Sequence, residues 1–529
     1  MTTLADTISA IADQYRHRTA VVVDGHYISY GHLIDRARLL AAALRDAGLD
    51  PETMRGQPPR VAILADQSPI AYSALIALAL NGQVGVPLDP SHPPARLRAC
   101  LKQADVRAII AGHEALDRLP HLLGHAGRSL AVIHPGGQAE QLSARFRRHR
   151  FRDLSSLSAP PAAAFPLDDS APAYLLFTSG TTDAPRGVLL HWEALADHLR
   201  DWHQRLPLRP GERVAQTFES GFDLALHTTW STWLAGASLF VWHRRANHDP
   251  AAFLRHHRIT HWPSLPTVAM TMHRQGELRP SAFPSLRATL FAGEPLPASL
   301  VSDWARAAPR SQIINLYGPT EATIAITAYD CPAHGVSPAA HQGIVCLGHP
   351  FSGHQRQIID ADGQTCSAGD VGELWLTGPR VVDRYVAGDD PTRFVERDGH
   401  RWFRTGDLVS ADPLGRLFFH CRQGQSFKLR GHHVELPAID QVLRSACGHS
   451  MACAVGWPRD HVSVLGLVGV IASDEDLDTR RLLAHCRRLL PPALVPDAIV
   501  ARPQLPTTPR GKIDRPALRR FLDHHPQEV

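Results

Sequence analysis

Short apolar runs alternate along the chain with longer segments in which apolar residues recur every three or four positions. The runs VAILA (61–65), AYLLF (173–177), SLFVW (238–242) and GELWLTG (372–378) are typical of strands. The segment LIDRARLLAAALRDAG (33–48) has the spacing of an amphipathic helix. Strands that alternate with helices predict an α/β protein whose sheets are mostly parallel and flanked by helices.

The pattern changes in RLFFHCRQGQSFKLRG (416–431), where two strand-like runs flank the polar, glycine-containing RQGQ. A helical pattern follows in ELPAIDQVLRSAC (435–447). A chain of 529 residues is longer than one hydrophobic core usually supports. We therefore predict a large N-terminal domain, residues 1–423, and a small C-terminal α+β domain, residues 424–529.

Composition narrows the class of protein. The chain is 44% hydrophobic and 20% charged, as ordinary globular proteins are, and its formal net charge of +4 favours no nucleic acid. The eight cysteines form no CxxC pair, which argues against a zinc ribbon or disulfide framework and favours the cytoplasm. Asp6 and Asp13 interrupt the apolar pattern of the N-terminus, so a helix is expected there and no signal peptide. Polar and glycine residues break the most apolar region, 74–88, so no membrane span is expected.

The most specific segment is FTSGTTDAPRGV (177–188), which crowds hydroxyls and glycines directly after an apolar strand. Small residues let successive backbone N–H groups point into one concavity, and Arg186 adds a positive charge that suits an anion. The pattern is not GxxxxGK[ST]. In isolation it would predict no more than a Ser/Thr-rich turn.

Three further segments carry candidate chemistry. In NLYGPTEATI (315–324), Tyr317 could stack on a purine and Glu321 could hold Mg²⁺ against phosphate oxygens. In RTGDL (404–408), Asp407 follows a tight glycine turn, where a carboxylate can accept bonds from two ribose hydroxyls. LPTTPRGKIDR (505–515) is a Pro- and Gly-rich loop that could deliver the ammonium of Lys512 into a site built elsewhere. Alone, each could be a simple turn or a solvated side chain.

Together and in this order, the four segments resemble the adenylation domains of non-ribosomal peptide synthetases. These belong to the adenylate-forming superfamily, which also contains acyl-CoA ligases and luciferases. The likeness runs from ISYGHL (28–33) and VPLDPSHPPARL (86–97), through GELWLTG, to the terminal lysine loop. It implies an ATP-dependent ligase that uses Mg²⁺ and makes an aminoacyl-AMP.

The resemblance assigns roles around ATP. It implies that Glu321 contacts Mg²⁺, that Asp407 and Arg422 hold the ribose, and that Lys512 meets the substrate carboxylate and the α-phosphate. A cation there would stabilise the negative charge that builds as the carboxylate attacks phosphorus. The other residues expected to contact ATP are Thr178, Ser179, Gly180, Thr181, Thr182, Arg186, Gly187, Tyr317, Gly318 and Thr320.

Amino-acid activation is implied by FESGFDLALHTTW (218–230), in which Asp223 occupies the place of the aspartate that meets the substrate's α-ammonium. An Asp that caps the following helix is the alternative. The resemblance extends to a mostly apolar substrate pocket similar to that of free-standing proline-activating ligases, so L-proline is the expected substrate. The pocket residues would be Asp223, Leu224, His227, Pro263, Leu290, Ala292, Leu316, Ile324 and Ala325.

The acceptor implied by the resemblance is a separate peptidyl carrier protein with a phosphopantetheine thiol, because no carrier segment or condensation-type HHxxxDG occurs in the sequence. Lys428 matches the segment that approaches this thiol after the C-terminal domain rotates, and Gly424 matches the hinge. Two residues depart from the family pattern: Asp183 stands where the loop usually has glycine, and Arg186 replaces a lysine.

Two other functions fit the same motifs. An acyl- or aryl-CoA ligase would use the same ATP machinery on an acid that lacks an amine. A non-catalytic, carrier-binding relative would result if the charge of Asp183 prevents phosphate binding.

Overall fold

A computed structural model describes residues 3–49, 58–136, 139–154, 170–178, 185–243, 249–332, 335–341, 343–423, 426–430, 432–447, 452–458, 464–473, 477–506 and 513–528. The helices of these residues are α1 (Leu4–Gln14), α2 (Tyr30–Asp46), α3 (Pro69–Leu80), α4 (Pro94–Ala104), α5 (Leu119–Leu123), α6 (Ala139–Arg145), α7 (Trp192–Arg205), α8 (Asp223–Leu234), α9 (Pro250–His256), α10 (Pro266–Arg274), α11 (Ala298–Ala307), α12 (Leu436–Cys447), α13 (Thr479–Leu489) and α14 (Arg515–His524).

Most strands are shorter than most of the helices, and those of the two large sheets are largely apolar. In chain order they are β1 (Thr19–Val23), β2 (His26–Ser29), β3 (Arg60–Leu64), β4 (Val84–Leu88), β5 (Ala108–Ala111), β6 (Ala131–His134), β7 (Arg150–Asp153), β8 (Pro172–Thr178), β9 (Arg186–His191), β10 (Arg213–Gln216), β11 (Ser238–Val241), β12 (His261–Ser264), β13 (Ala288–Ala292), β14 (Gln312–Tyr317), β15 (Thr327–Asp330), β16 (Ala340–His341), β17 (Ile344–Val345), β18 (His349–Pro350), β19 (Gln355–Ile359), β20 (Gly372–Thr377), β21 (Phe394–Arg397), β22 (His400–Ala411), β23 (Leu417–Arg422), β24 (Ser426–Leu429), β25 (His432–Glu435), β26 (Ala452–Gly456), β27 (Leu467–Ala472) and β28 (Ala498–Arg502).

Two large, mostly parallel sheets form most of the molecule. In the described chain, one has the order β18-β15-β14-β13-β12-β10-β11-β1-β2, and the other has the order β7-β6-β5-β3-β4-β8-β9. Strand β4 and residues 61–64 of β3 are apolar and buried, as expected when helices cover both faces of a parallel sheet. Every residue from Ile70 to Leu80 of α3 is buried, which explains why this helix is apolar all round. The predicted α/β class is confirmed.

Antiparallel sheets follow the two large ones. Strands β19-β20-β22-β21 pair in that order, and β23 adds to β22. Farther along the chain, β26, β27 and β28 form a small mixed sheet in which residues alternate between two faces. Ala452 and Ala454 pack with α12 and α13, whereas Cys453 and Val455 pack with α14.

These C-terminal strands and helices have hydrophobic clusters of their own, as the predicted α+β domain requires. The predicted boundary between residues 423 and 424 borders positions 424–425, which lie outside the described residues, so it stays a prediction. Among the helices that the structure describes, none is both long and apolar enough to cross a membrane.

Candidate active site

An open cleft lies where the carboxyl ends of parallel strands from both large sheets meet. It has about 1650 Å³ of empty space, counting the part open to solvent. Asp89 directly follows β4, Thr178 ends β8, and Tyr317 ends β14; all three line the cleft. In open α/β sheets, ligands bind outside the carboxyl ends of the strands. The predicted site residues that line this cleft are Thr178, Arg186, Asp223, Leu224, Ala292, Leu316, Tyr317, Gly318, Thr320, Glu321, Ile324 and Asp407.

The two ends of the predicted phosphate loop lie at the cleft. Thr178 and Arg186 pair across the antiparallel strands β8 and β9. Arg186 stacks over the ring of Tyr385, with 5.3 Å from its guanidinium carbon to the ring centroid, and lies 3.8 Å from Asp390. Gly187 follows in β9, where a side chain would press against Leu175 at 3.0 Å. The loop residues Ser179, Gly180, Thr181, Thr182 and Asp183 lie outside the described residues.

Tyr317 and Asp407 are joined by a hydrogen bond across the cleft wall. The Tyr317 hydroxyl donates to Oδ2 of Asp407 at 2.6 Å. Asp407 is buried, with 6% of its surface exposed. The tight glycine turn expected before Asp407 is not observed: Gly406 lies within β22, at a shift in the register with β20, and has φ +73°. A Cβ at this position would lie 2.9 Å from Arg393. Arg422 is the cross-strand neighbour of Asp407, but its side chain is outside the described part.

Glu321 is held by a tyrosine that the sequence analysis missed. It lies in a 3₁₀ turn, Thr320–Ala322, directly after β14, and is 9% exposed. The Tyr385 hydroxyl donates to Oε1 of Glu321 at 2.7 Å. Burial, together with the negative charge of Glu321, raises the pKa of Tyr385 well above its ordinary value, so the tyrosine remains a donor. The carboxylate is therefore fixed at the cleft, and its oxygens suit Mg²⁺.

The loop after Tyr317 folds back tightly on itself. A Cβ on Gly318 would lie 2.6 Å from Cα of Ala325, so only glycine fits. Thr323 has φ +50° and Ile324 has φ +76°, a conformation that costs free energy for β-branched residues. The Thr323 hydroxyl donates to the carbonyl of Arg380 at 2.7 Å, which anchors the strained loop.

Asp223 begins α8 and is 6% exposed at the cleft. Its Oδ1 accepts a hydrogen bond from the backbone N–H of Leu224 at 2.7 Å. The carboxylate also lies at the positive end of the helix dipole, which stabilises its charged form. The helix cap that the sequence left as an alternative role for Asp223 is not observed, because Phe222 is the N-cap and α8 has no side-chain cap hydrogen bond. The Asp223 side chain lines the cleft.

The predicted substrate residues separate into two groups. Leu224, Ala292, Leu316 and Ile324 line the cleft, together with Leu265, which the sequence analysis did not name. Three others line a separate, smaller cavity of about 230 Å³: His227, Pro263 and Leu290. Ala325 is outside both linings and accepts a hydrogen bond from Nη1 of Arg380 through its carbonyl.

His227 points toward another buried histidine. Its Nδ1 lies 2.9 Å from Nε2 of His198, and its ring packs edge-on against Trp202. Burial lowers the pKa of His227 to about 3, and burial also lowers the pKa of His198 well below the ordinary value. Both imidazoles are therefore neutral at pH 7, and one donates to the other.

The structure describes no side chain for the remaining predicted residues. Gly424 and Lys512 lie outside the described residues, and Lys428 belongs to β24 without a described side chain. The sequence analysis also passed over several residues that line the cleft: Asp89, His92, Glu219, Tyr385, Arg393 and His432. A usable signal existed for Asp89, because it directly follows the apolar run VGVPL of β4.

The cleft at the converging strand ends is thus lined by a carboxylate held by a tyrosine, Glu321, and by a tyrosine paired to an acid, Tyr317 with Asp407. The chain belongs to the family of AMP-binding enzymes, which it matches over residues 8–386. It is an adenylating ligase of the amino-acid-activating, non-ribosomal peptide synthetase type. Enzymes of this superfamily use ATP and Mg²⁺.

Individual relatives cover nearly all of the chain. The L-proline--[L-prolyl-carrier protein] ligase of Pseudomonas fluorescens is 30% identical over 96% of this chain and 97% of its own. Novobiocin biosynthesis protein H of Streptomyces niveus is 31% identical over 94% of this chain and 79% of its own. The crystal structure of the Vibrio cholerae adenylation domain AlmE in complex with glycyl-adenosine-5'-phosphate has a TM-score of 0.87 at 28% identity, covering 99% and 98% of the two chains.

Proposed function

We propose that this chain activates L-proline as prolyl-AMP and transfers the prolyl group to the phosphopantetheine thiol of a separate carrier protein. The observation that carries the proposal is the buried carboxylate of Asp223 beside an apolar cleft floor. A carboxylate at this place can accept a charge-assisted hydrogen bond from the α-ammonium of an amino acid.

The reaction has two steps. In the first, a carboxylate oxygen of the amino acid attacks the α-phosphorus of ATP, a new P–O bond forms, and pyrophosphate leaves. In the second, the thiol sulfur attacks the acyl carbon, the thiol loses its proton, and AMP leaves. No covalent enzyme intermediate is needed, so the protein's task is orientation and charge stabilisation.

Different residues of the cleft would bind the adenosine of ATP, its phosphates and the carboxylate of the amino acid. Tyr317 would stack on adenine, while Asp407 would accept hydrogen bonds from the ribose hydroxyls. Bound Mg²⁺ would neutralise phosphate oxygens, and Glu321, fixed by the Tyr385 hydroxyl, is the residue suited to hold it. We further propose that Lys512 meets the substrate carboxylate and the α-phosphate.

Two features favour L-proline within the amino acids. The described cleft floor is apolar, so a charged side chain would find no partner there. Four of the expected pocket residues line this cleft, and all four are apolar: Leu224, Ala292, Leu316 and Ile324. The Pseudomonas fluorescens relative is a ligase for L-proline by its name.

ATP–pyrophosphate exchange with single amino acids tests this function. L-Proline should give the fastest exchange in the presence of Mg²⁺. Cyclopentanecarboxylate has the same ring size without the amine and should give almost none. Exchange with amine-free acids that the Asp223→Ala substitution leaves unchanged would support an acyl-CoA ligase instead, and no exchange with any acid would contradict the proposal.

Transfer to a carrier is tested separately, by following a labelled prolyl group onto a phosphopantetheinylated carrier protein. We propose that residues 424–529 rotate about Gly424 for this step and bring Lys428 near the thiol. Exchange without transfer to any carrier tried, or to coenzyme A, would leave adenylation standing and contradict the second step.

A further inference from the structure

Three potential metal ligands meet at one side of the cleft, away from Glu321. They are Asp89, His92 and Glu219, and one ligand atom from each lies within 4.8 Å of the others. Asp89 directly follows β4 and Glu219 follows β10, so the cluster joins the two large sheets. His92 is one turn beyond Asp89, to whose carbonyl its backbone N–H donates at 3.1 Å.

A fourth ligand comes from the C-terminal part of the chain. His432 begins β25, and its Nε2 lies 3.6 Å from Oε2 of Glu219. The His432 ring is positioned edge-on against Phe222, with 4.9 Å between the ring centroids. The separation of the two ligand atoms exceeds the usual range for an N–H···O hydrogen bond, about 2.7–3.2 Å. It is near the roughly 3.4 Å edge of a tetrahedron of metal–ligand bonds of about 2.1 Å. The ligand atoms of Asp89, His92 and Glu219, which lie within 4.8 Å of one another, would close in around a bound ion.

The local structure presents these donors rigidly. Asp89 is 4% exposed, and its Oδ1 accepts a hydrogen bond from the backbone N–H of Ser91 at 2.8 Å. Carboxylate oxygens and imidazole nitrogens that converge in this way can share one divalent cation.

The donor set selects the kind of metal. Two imidazole nitrogens and two carboxylate oxygens suit Zn²⁺, which prefers four ligands in tetrahedral geometry. Mg²⁺ prefers oxygen ligands in octahedral geometry, so this cluster differs from the site expected at Glu321.

We propose that Asp89, His92, Glu219 and His432 bind one Zn²⁺, which ties β25 to both large sheets beside the cleft. The inference does not depend on which amino acid the enzyme activates. A metal bound here would favour the arrangement in which β25 lies over the cleft, because it links residues that are separated by more than three hundred positions in the chain.

The site is tested by titrating the full chain with Zn²⁺ in the absence of ATP. A competing chelator is present so that weakly bound metal is removed. The expected result is one tightly held Zn²⁺ per chain. Glu219→Gln keeps the side-chain shape and should lower the affinity at least tenfold, as should His92→Ala. His432→Ala should weaken binding while leaving three ligands.

Controls separate this site from surface histidines and from unfolding. His203→Ala removes an exposed imidazole from α7 and should leave the stoichiometry at one. Circular dichroism identifies any variant that fails to fold, and the near-isosteric Glu219→Gln then provides the decisive comparison. The proposal is overturned if the wild-type chain holds no Zn²⁺ against the chelator, or if Glu219→Gln binds it as tightly as the wild type does.

Discussion

The hydroxyl of Tyr317 donates to Oδ2 of Asp407 at 2.6 Å, although the two residues are 90 positions apart. One ends a strand of a large parallel sheet and the other lies in the longest antiparallel strand, β22. The bond aligns an aromatic ring and a carboxylate on one wall of the cleft, which is the arrangement that an adenosine needs if its base stacks and its ribose is gripped.

Removing this hydroxyl should weaken ATP binding. In Tyr317→Phe the ring remains, but Asp407 loses a hydrogen bond to a charged acceptor, which is worth about 1.5–3 kcal/mol. We expect the KM for ATP in pyrophosphate exchange to rise roughly tenfold or more, with the KM for the amino acid unchanged. Tyr329→Phe is the matched control, because that hydroxyl accepts from the backbone N–H of Ala339 away from the cleft lining. Equal ATP affinity in both variants would contradict the role of the pair.

Asp223→Ala should weaken the use of the amino acid and leave ATP binding unchanged. Loss of the acid leaves the substrate's α-ammonium without its buried partner, which costs about 3 kcal/mol or more. The value of kcat/KM for L-proline should fall by about two orders of magnitude or more, while ATP binding measured by calorimetry stays the same. The exposed Asp362→Ala is the control. Unchanged kcat/KM in Asp223→Ala would mean that the carboxylate only begins α8.

Lys512→Ala should slow adenylation without destabilising the fold. A preorganised cation at the developing charge is worth about 3–4 kcal/mol, so the rate should fall by about two to three orders of magnitude. Lys102→Ala, an exposed lysine of α4, provides the comparison. A rate within a factor of a few of the wild type would remove Lys512 from the mechanism.

Gly424→Pro should separate the two half-reactions. A hinge must change its backbone angles between steps, and proline fixes φ at about −65°. Exchange should stay near the wild-type rate, whereas transfer to the carrier thiol should slow strongly. Loss of both activities to the same extent would argue against a hinge at this position.

His227 gives the unfolding free energy a particular dependence on pH. Its pKa is lowered to about 3 in the folded chain, whereas an unfolded histidine titrates near 6.5. As the pH falls from 6.5 toward 3, the unfolded chain takes up a proton that the folded chain excludes, so stability decreases. When the pH is lowered from 7.5 to 5.5, the free energy of unfolding should fall by about 1.4 kcal/mol less in His227→Gln than in the wild type. Urea denaturation at the two pH values measures this difference. An equal decrease in unfolding free energy in both proteins would mean that the His198–His227 pair is protonated in the folded chain. His203→Gln, which removes an exposed histidine, is the control for titration at the surface.

The sequence predicted those features that depend on neighbours in the chain. Apolar runs located β3, β8, β11 and β20, and the spacing of apolar residues located α2. The motif segments around Thr178, Tyr317 and Asp407 do meet at one cleft. Thr178 and Tyr317 reach it at strand ends of the two large sheets, whereas Asp407 reaches it from within the antiparallel strand β22.

The features it did not predict depend on tertiary contacts. His227 lies with its Nδ1 2.9 Å from Nε2 of His198 in the preceding helix α7, a contact that the local sequence does not indicate. Tyr385 reaches Glu321 across 64 positions, and nothing in its local sequence indicates this contact. Asp89 lies close to Glu219 because the strands that precede them, β4 and β10, belong to two sheets whose ends come together.

A crystal structure of the chain with a stable analogue of prolyl-AMP would locate both charged ends of the substrate. We expect the ring nitrogen within about 3 Å of a carboxylate oxygen of Asp223, as in a charge-assisted hydrogen bond. We also expect the adenine against Tyr317 and the ammonium of Lys512 beside the acyl phosphate. An analogue whose nitrogen lies away from Asp223, or whose adenine occupies another part of the molecule, would contradict the proposed function.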